Sequence, residues 1–388
     1  MALSRRPDLV REFLAQQHLD GWIAWRPDEI LLLTGHLTRW NVSLLFYPIN
    51  APPVLFVPVL EPRDHLPAGA KIVEYPWGDF DCVDPFPILK AGLAGEIRAA
   101  GASASRVGML HRSSRGTLAV LAAENSPLPA DFGDQIAAMI APRSAAAENA
   151  FLDLFAIKTP EEIASIRLAN RVALIGLDAF ERACVPGARE IEVAIAVESA
   201  IALQTDVGEV FYSKGWAMVQ SGPNSAEGGM FNRSTGRRLQ SGDLVLIELA
   251  TCVNGYWSDL TRTIPVGPGP LRPELQRVFD ASRRAQSAAL HAVRPGAVAG
   301  DVDAAARDVV HQAGFASFFT HHTGHHVGFR YHDPGFSIVP GATETLAPGM
   351  IVTIEPGIYV PELGGGARTE ENVLVTGAGR EILSAPGG

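Results

Sequence analysis

A chain of 388 residues is about two and a half times the ~150 residues typical of one domain, which excludes a single small module. Its 32 Lys and Arg against 42 Asp and Glu leave a net charge of −10, and the basic residues gather only in scattered pairs such as Arg5-Arg6, Arg237-Arg238 and Arg283-Arg284. No basic footprint for nucleic acid or anionic lipid is present, while apolar residues at 47% and charged residues at 19% exclude a disordered chain and supply a sizeable core.

Taken in chain order, the twin arginine near the start is followed by charged and polar residues where an export signal would be apolar, so no export is expected. No apolar run approaches the ~18 residues of a membrane span. From Asp20 to Val107 the runs GWIAW, ILLLTG, VSLLFYPI, PVLFVPVL and KIVEYPW read as β-rich. They alternate with helical patterns such as Pro7–His18 and Ile88–Ala100, which predicts an α/β domain. Ser144–Phe155 is Ala-rich and helical in pattern. Thr159-Pro160-Glu161-Glu162 then opens a new helix with a Thr N-cap, Pro at the first helical position and a capping-box Glu. The boundary is placed near residue 156, giving domains 1–155 and 156–388. Cys82, Cys184 and Cys252 lie far apart with no CxxC, so neither a disulfide framework nor a thiolate zinc site is expected, and a reducing cytoplasm fits.

The second domain repeats itself. Pro186-Gly187-Ala188 opens one helical stretch and Pro295-Gly296-Ala297 another, 109 residues on; GDLVLIELA, with Gly242 and Glu248, returns as GMIVTIEPG, with Gly349 and Glu355, at an offset of 107. The strand holding Asp259 is mirrored by the one holding Glu370, 111 residues later. Two αβ halves in one order predict a pseudo-twofold domain whose equivalent strands meet near the axis.

Five of the eleven histidines fall within His321–His332, HHTGHHVGFRYH, with Gly324 and Gly328 allowing close backbone approach. Imidazole is the commonest metal ligand and proton shuttle near neutral pH. In VLIELATCVNGYWSDLTRT, Asn254-Gly255 predicts a type I′ hairpin turn. That register makes Glu248 and Asp259 diagonal neighbours on one face, where their side chains converge. Two acids on an apolar hairpin resist burial unless protonated or compensated by positive charge. The repeat adds Glu355 and Glu370. Four carboxylates with one imidazole suit two divalent ions of the Mn, Fe, Co or Zn type, and such a pair activates water and polarises an attacked carbonyl, so a hydrolase is expected. No GxSxG, HExxH, Walker loop or GxGxxG after a strand competes, and Gly364-Gly365-Gly366 reads as a hairpin loop between the two Glu-bearing strands.

In order and spacing, GDLVLIELATCVNGYWSDLTRT, HHTGHHVGFRYHDPG, GMIVTIEPGIYV and ARTEENVLVT resemble the blocks of the pita-bread metallopeptidases: methionine aminopeptidase, aminopeptidase P and prolidase. LDGWIAWRPDEILLLTGH and KTPEEIASIRLAN look like the creatinase-type N-terminal domain and connection of the aminopeptidase P and prolidase branch. The resemblance implies an α/β (α+β) chain with a creatinase-type N-terminal domain followed by a duplicated pita-bread catalytic domain. It implies Asp259 and Glu370 as bridging ligands of two metal ions, with His325 and Glu355 completing the first site and Glu248 the second. Manganese is the expected metal, with zinc or cobalt as alternatives.

Glu355 is also expected to hold a metal-bound hydroxide, and Arg368 to orient the carboxylates. His321 and His332 are expected to bind substrate. A homodimer is implied, acting on the Xaa-Pro bond of short peptides in the cytoplasm, with no nucleic-acid or membrane partner. The chain departs from the pattern at Glu248, where the family has Asp, and at Phe231, where it has a substrate-contacting His. Asp333–Pro348 also lacks the basic residue with which prolidases bind a dipeptide carboxylate, and Arg330 is a candidate substitute. The rival readings are a creatinase- or ectoine-hydrolase-like C–N hydrolase of small molecules and a non-catalytic relative.

Overall fold

The structure is a computed structural model and describes residues 6–40, 43–76, 84–110, 130–140, 145–227 and 233–385. Phe231 and Cys82 lie outside the described residues. The chain divides into two compact units, one ending at Phe155 and the other running from Ala156 to the C-terminus.

The first unit contains α1 (Arg6–Gln16), β1 (Gly21–Ala24), α2 (Pro27–Thr34), β2 (Leu44–Pro48), β3 (Val54–Pro58), β4 (Lys71–Tyr75), α3 (Phe86–Ala99), β5 (Val107–Met109), α4 (Ala130–Ala137) and α5 (Ala145–Asp153). Its strands form one mixed sheet in the order β4-β3-β2-β1-β5. Trp22 of β1 stacks on Phe151 of α5 with ring centroids 4.5 Å apart, which fixes that helix on the sheet. The run ILLLTG is not a strand but the body of α2. Pro27 sits in its first turn with Asp28 and Glu29, and Gly35 at φ 73 ends it with its N–H donating to Leu31 O. Ile30, Leu31, Leu32 and Leu33 are all buried, so the run carries neither the helical nor the strand period.

The second unit contains α6 (Pro160–Ala183), α7 (Glu190–Ala202), β6 (Ser213–Ser221), β7 (Leu244–Val253), β8 (Tyr256–Pro265), α8 (Pro273–Ala292), α9 (Ala299–Gln312), β9 (Ile351–Ile354), β10 (Gly357–Val360), β11 (Gly365–Arg368), β12 (Glu371–Val375) and β13 (Arg380–Ile382). The predicted capping box opens α6: Glu162 N–H donates to Thr159 Oγ1 at 3.4 Å and Thr159 N–H donates to Glu162 Oε2 at 2.8 Å. Two helices then precede each set of strands, and the two halves use the same backbone hydrogen bonds. Gly187 N–H donates to Leu239 O at 2.8 Å as Gly296 N–H does to Leu346 O at 2.7 Å. Gly242 N–H donates to Val266 O as Gly349 N–H does to Val375 O, both at 2.9 Å. All four glycines have φ between 80° and 92°, a region L-residues avoid, which is why glycine recurs at these turns.

Each half buries its own apolar layer, Ala173, Val197, Ile247 and Leu260 in one and Ala285, Val302, Ile354 and Val373 in the other. The halves meet along β8 and β11–β12. There Glu370 N–H donates to Thr261 O at 3.0 Å, Asn372 Nδ2 to Asp259 O at 2.5 Å and Thr263 Oγ1 to Arg368 O at 2.8 Å. The triple glycine is only in part a loop. Gly364 turns at φ 57, whereas Gly365 and Gly366 belong to β11 opposite Val360 and Tyr359. A Cβ on Gly366 would lie 2.2 Å from Ser225 O, so close packing explains that residue.

Gly187 and Gly296 have open space beside them, so alanine there meets backbone strain and nothing else. Gly187→Ala and Gly296→Ala are expected each to lower unfolding free energy by about 1–2 kcal/mol in urea titration. A loss in one without the other would contradict the equivalence of the halves.

Candidate metal centre

The β7–β8 hairpin has the register that Asn254-Gly255 predicts: Val253 opposes Tyr256, Glu248 opposes Thr261 and Ala250 opposes Asp259. Asn254 and Gly255 both have positive φ, as a type I′ turn requires. Glu248 and Asp259 therefore point from one face of continuous strands. Their counterparts come from breaks: Glu355 follows β9 before Pro356, and Glu370 separates β11 from β12. All four carboxylates are buried, and oxygens of Glu248, Asp259 and Glu370 converge within 4.8 Å of one another.

The histidine segment lies against β9 as an extended chain. Val327 N–H donates to Ile351 O, Thr353 N–H to His325 O and Glu355 N–H to Thr323 O, which brings His325 beside Glu355. Gly324 makes this approach possible, since a Cβ there would lie 1.9 Å from Thr353 O. His325 Nδ1 is 2.9 Å from His326 O; a carbonyl only accepts, so Nδ1 carries the proton and Nε2 presents its lone pair. That lone pair faces two carboxylate oxygens, Asp259 Oδ2 at 3.3 Å and Glu355 Oε1 at 3.4 Å. His332 packs against His325 with ring centroids 4.2 Å apart.

His321 is more constrained. Its Nδ1 donates to His322 O at 2.7 Å and its Nε2 accepts from Tyr359 OH at 2.9 Å, while burial brings its pKa down to about 4. Arg368 is buried beside Glu248, to which its Nη2 donates. Its Nε donates to Thr261 Oγ1 at 2.9 Å and its Nη1 to Tyr359 OH at 2.5 Å. Arg330 is half-buried, with its backbone N–H donating to Asp333 Oδ1 at 2.7 Å.

The charge is unevenly distributed. Burial opposes the charged form of Glu248, but Arg368, with the hydroxyls of Thr261 and Tyr331, outweighs it and holds the carboxyl below its ordinary range. Among the described residues, no arginine or lysine is bonded to the side chains of Asp259 and Glu370, although Arg368 lowers the pKa of Glu370 from a distance. Burial, then the neighbouring carboxylates, pushes both well above the usual range. Asp259 Oδ1 and Glu370 Oε1 are buried without a hydrogen-bond partner. Buried carboxyl oxygens without a partner, next to a carboxylate pair that faces an imidazole lone pair, are donors short of positive charge, and divalent cations fit this donor set.

Several contributors were not read from the sequence. Thr261 was accessible from the hairpin register, as the residue opposite Glu248. Tyr331 and Tyr359, which bond Glu248 and Arg368, carry no spacing signal. Neither does the buried ion pair of Lys158 Nζ with Asp333 Oδ2 at 2.9 Å; Asp333 in turn closes the loop between His325 and His332 through its N–H to His326 O and its carboxylate to Arg330 N–H. His322, in the noted cluster but given no role, has Nε2 3.1 Å from Glu355 Oε1. Burial opposes its charged form, yet Glu355 outweighs this and raises its pKa.

Comparison with known proteins follows this geometry. The chain is 35% identical over 238 residues to the Xaa-Pro dipeptidase of Pyrococcus furiosus, an alignment covering 61% of this chain and 65% of that one. It is 40% identical over 193 residues to a probable dipeptidase PepE of Mycobacterium tuberculosis, covering 50% and 48%. The match thus spans between about half and two thirds of the length of these curated relatives. The solved prolidase from Pyrococcus furiosus superposes with a TM-score of 0.73 at 25% identity, covering 97% of this chain and 99% of that one. The sequence pattern of metallopeptidase family M24 matches residues 164–377, more than half of the chain and all five converging ligand candidates, and the chain belongs to that family.

Proposed function

We propose that the chain is a metal-dependent peptidase that hydrolyses the bond before proline in short peptides, with Glu248, Asp259, His325, Glu355 and Glu370 holding two divalent ions of the manganese, cobalt or zinc type. The observation that carries this reading is the convergence of buried donors: Glu248, Asp259 and Glu370 on one side, with Asp259 Oδ1 and Glu370 Oε1 partnerless, and the His325 Nε2 lone pair facing Asp259 Oδ2 and Glu355 Oε1 on the other. Bound there, such ions supply a water activated at neutral pH and a Lewis acid for the scissile carbonyl. Names of similar proteins, Xaa-Pro dipeptidase and prolidase, support proline as the substrate signature.

The side chains divide the remaining work. Asp259 and Glu370 are read as shared ligands; the placement of Asp259, whose oxygens group both with Glu248 and Glu370 and with His325, supports this for the first of them. Arg368 fixes the Glu248 carboxylate and, through Tyr359, the orientation of His321. Glu355 accepts from Thr353 Oγ1 at 3.0 Å on Oε1, which fixes the orientation of the carboxylate that is read as the proton carrier. His332 is read as a substrate contact and so is His321, whose Nε2 would exchange Tyr359 OH for the substrate, and Arg330 remains the candidate partner for a substrate carboxylate. Phe231 in place of an imidazole is expected to narrow the range of peptides cleaved. We further read the protein as a cytoplasmic homodimer. A chain with only three cysteines, far apart and without CxxC, suits a reducing compartment, and the exposed apolar side chains Ile195, Leu203 and Val207 offer surface for a second copy.

Chelation is expected to abolish cleavage of Xaa-Pro peptides, and added Mn to restore it, in a peptidase assay with metal content measured in parallel. Metal-free protein with undiminished activity, or turnover only of a guanidino or ectoine-like compound, would contradict the proposal. Glu370→Ala is expected to lose both activity and bound metal, with unchanged metal content the opposing result. Arg368→Leu leaves all ligands in place but frees Glu248, and is expected to weaken metal binding by about 10–100-fold in chelator competition; an unaltered affinity would remove Arg368 from this role.

A further inference from the structure

We propose that His322 is a second imidazole ligand in this centre, joining His325 and Glu355 on one ion; the inference rests on the metal reading above. His322 Nε2 lies 3.1 Å from Glu355 Oε1, the same oxygen that is 3.4 Å from His325 Nε2. One donor atom from each of the three side chains falls within 4.8 Å of the others. The two rings are edge-to-face, with centroids 5.4 Å apart, so they do not fill each other's space by stacking. Gly324, pressed against Thr353 O, holds the backbone between them in the position that brings both rings to Glu355.

Among the neighbouring imidazoles, His321 spends both nitrogens on His322 O and Tyr359 OH, His326 turns its ring against Phe336, with centroids 4.7 Å apart, and Gly335, and His332 groups with His325 and Asp259 and not with Glu355. A second nitrogen donor makes the ion at Glu355 softer in its ligand set than one imidazole among carboxylates, which favours zinc and cobalt over manganese.

The test uses the full-length protein stripped of metal and reloaded with one equivalent of Zn(II), with imidazole ligands counted by X-ray absorption. Wild type is expected to show two imidazoles, His322→Gln one, and His332→Gln two. His322→Gln keeps an N–H donor for Glu355, so a mere hydrogen-bonding role would leave the count unchanged. Zn(II) affinity of His322→Gln is expected to fall by about tenfold in chelator competition, with a smaller change for Mn(II). A single imidazole in wild type, or a count unaltered by His322→Gln, overturns the proposal. Wild type that binds no Zn(II) would instead refute the metal reading on which it rests.

Discussion

Four carboxylates held in one buried space without a matching number of protein cations set the terms for the whole second unit. Arg368 is bonded to Glu248, His322 and His325 lie against Glu355, and His325 also faces Asp259, but burial and the neighbouring carboxylates push the pKa values of Asp259 and Glu370 well above the usual range. Taking ionised groups out of water without compensation is among the most costly arrangements a protein can hold. The surrounding structure therefore over-determines their positions: Thr261 Oγ1 lies 2.5 Å from Glu248 Oε2 and 2.8 Å from Glu370 Oε2, and Asn372 brackets the backbone of Asp259 on both its N–H and its carbonyl.

The duplicated fold makes that convergence possible. One half alone presents two acids on a hairpin face; the second half brings two more, and the seam between β8 and β11–β12 aligns them. The halves also differ where the chemistry needs them to differ. In the first, Glu248 and Asp259 sit within unbroken strands, whereas in the second the strands are interrupted at Glu355-Pro356 and Thr369-Glu370, so those carboxylates emerge at bends. The partner strand diverges as well: β6 pairs with β7 from Val245 to Val253, but its counterpart beside β9 is the short histidine segment, with an imidazole facing the carboxylates.

Much of this was legible in the sequence because local chemistry wrote it there. Asn254-Gly255 fixed the hairpin register, Thr159 and Glu162 marked the start of α6, and the recurring glycines exposed the repeat. What could not be read was decided by tertiary contact. ILLLTG is apolar on every side, so its period is silent and only Pro27 and Gly35 signal a helix. Gly365 and Gly366 resemble a loop until Ser225 is found against the backbone. Tyr331, Tyr359 and the Lys158–Asp333 pair meet the site from distant positions in the chain, and no spacing rule encodes them. His322 was visible in a cluster of five but indistinguishable from its neighbours, because only the fold brings its Nε2 to Glu355 Oε1.

Anomalous scattering from crystals grown with Mn(II) tests the central claim most directly. The account predicts two ions about 3.5–4 Å apart, both within bonding distance of Asp259 and Glu370. Crystals in which Asp259 and Glu370 bond only to each other or to water, with no ion between them, would contradict it.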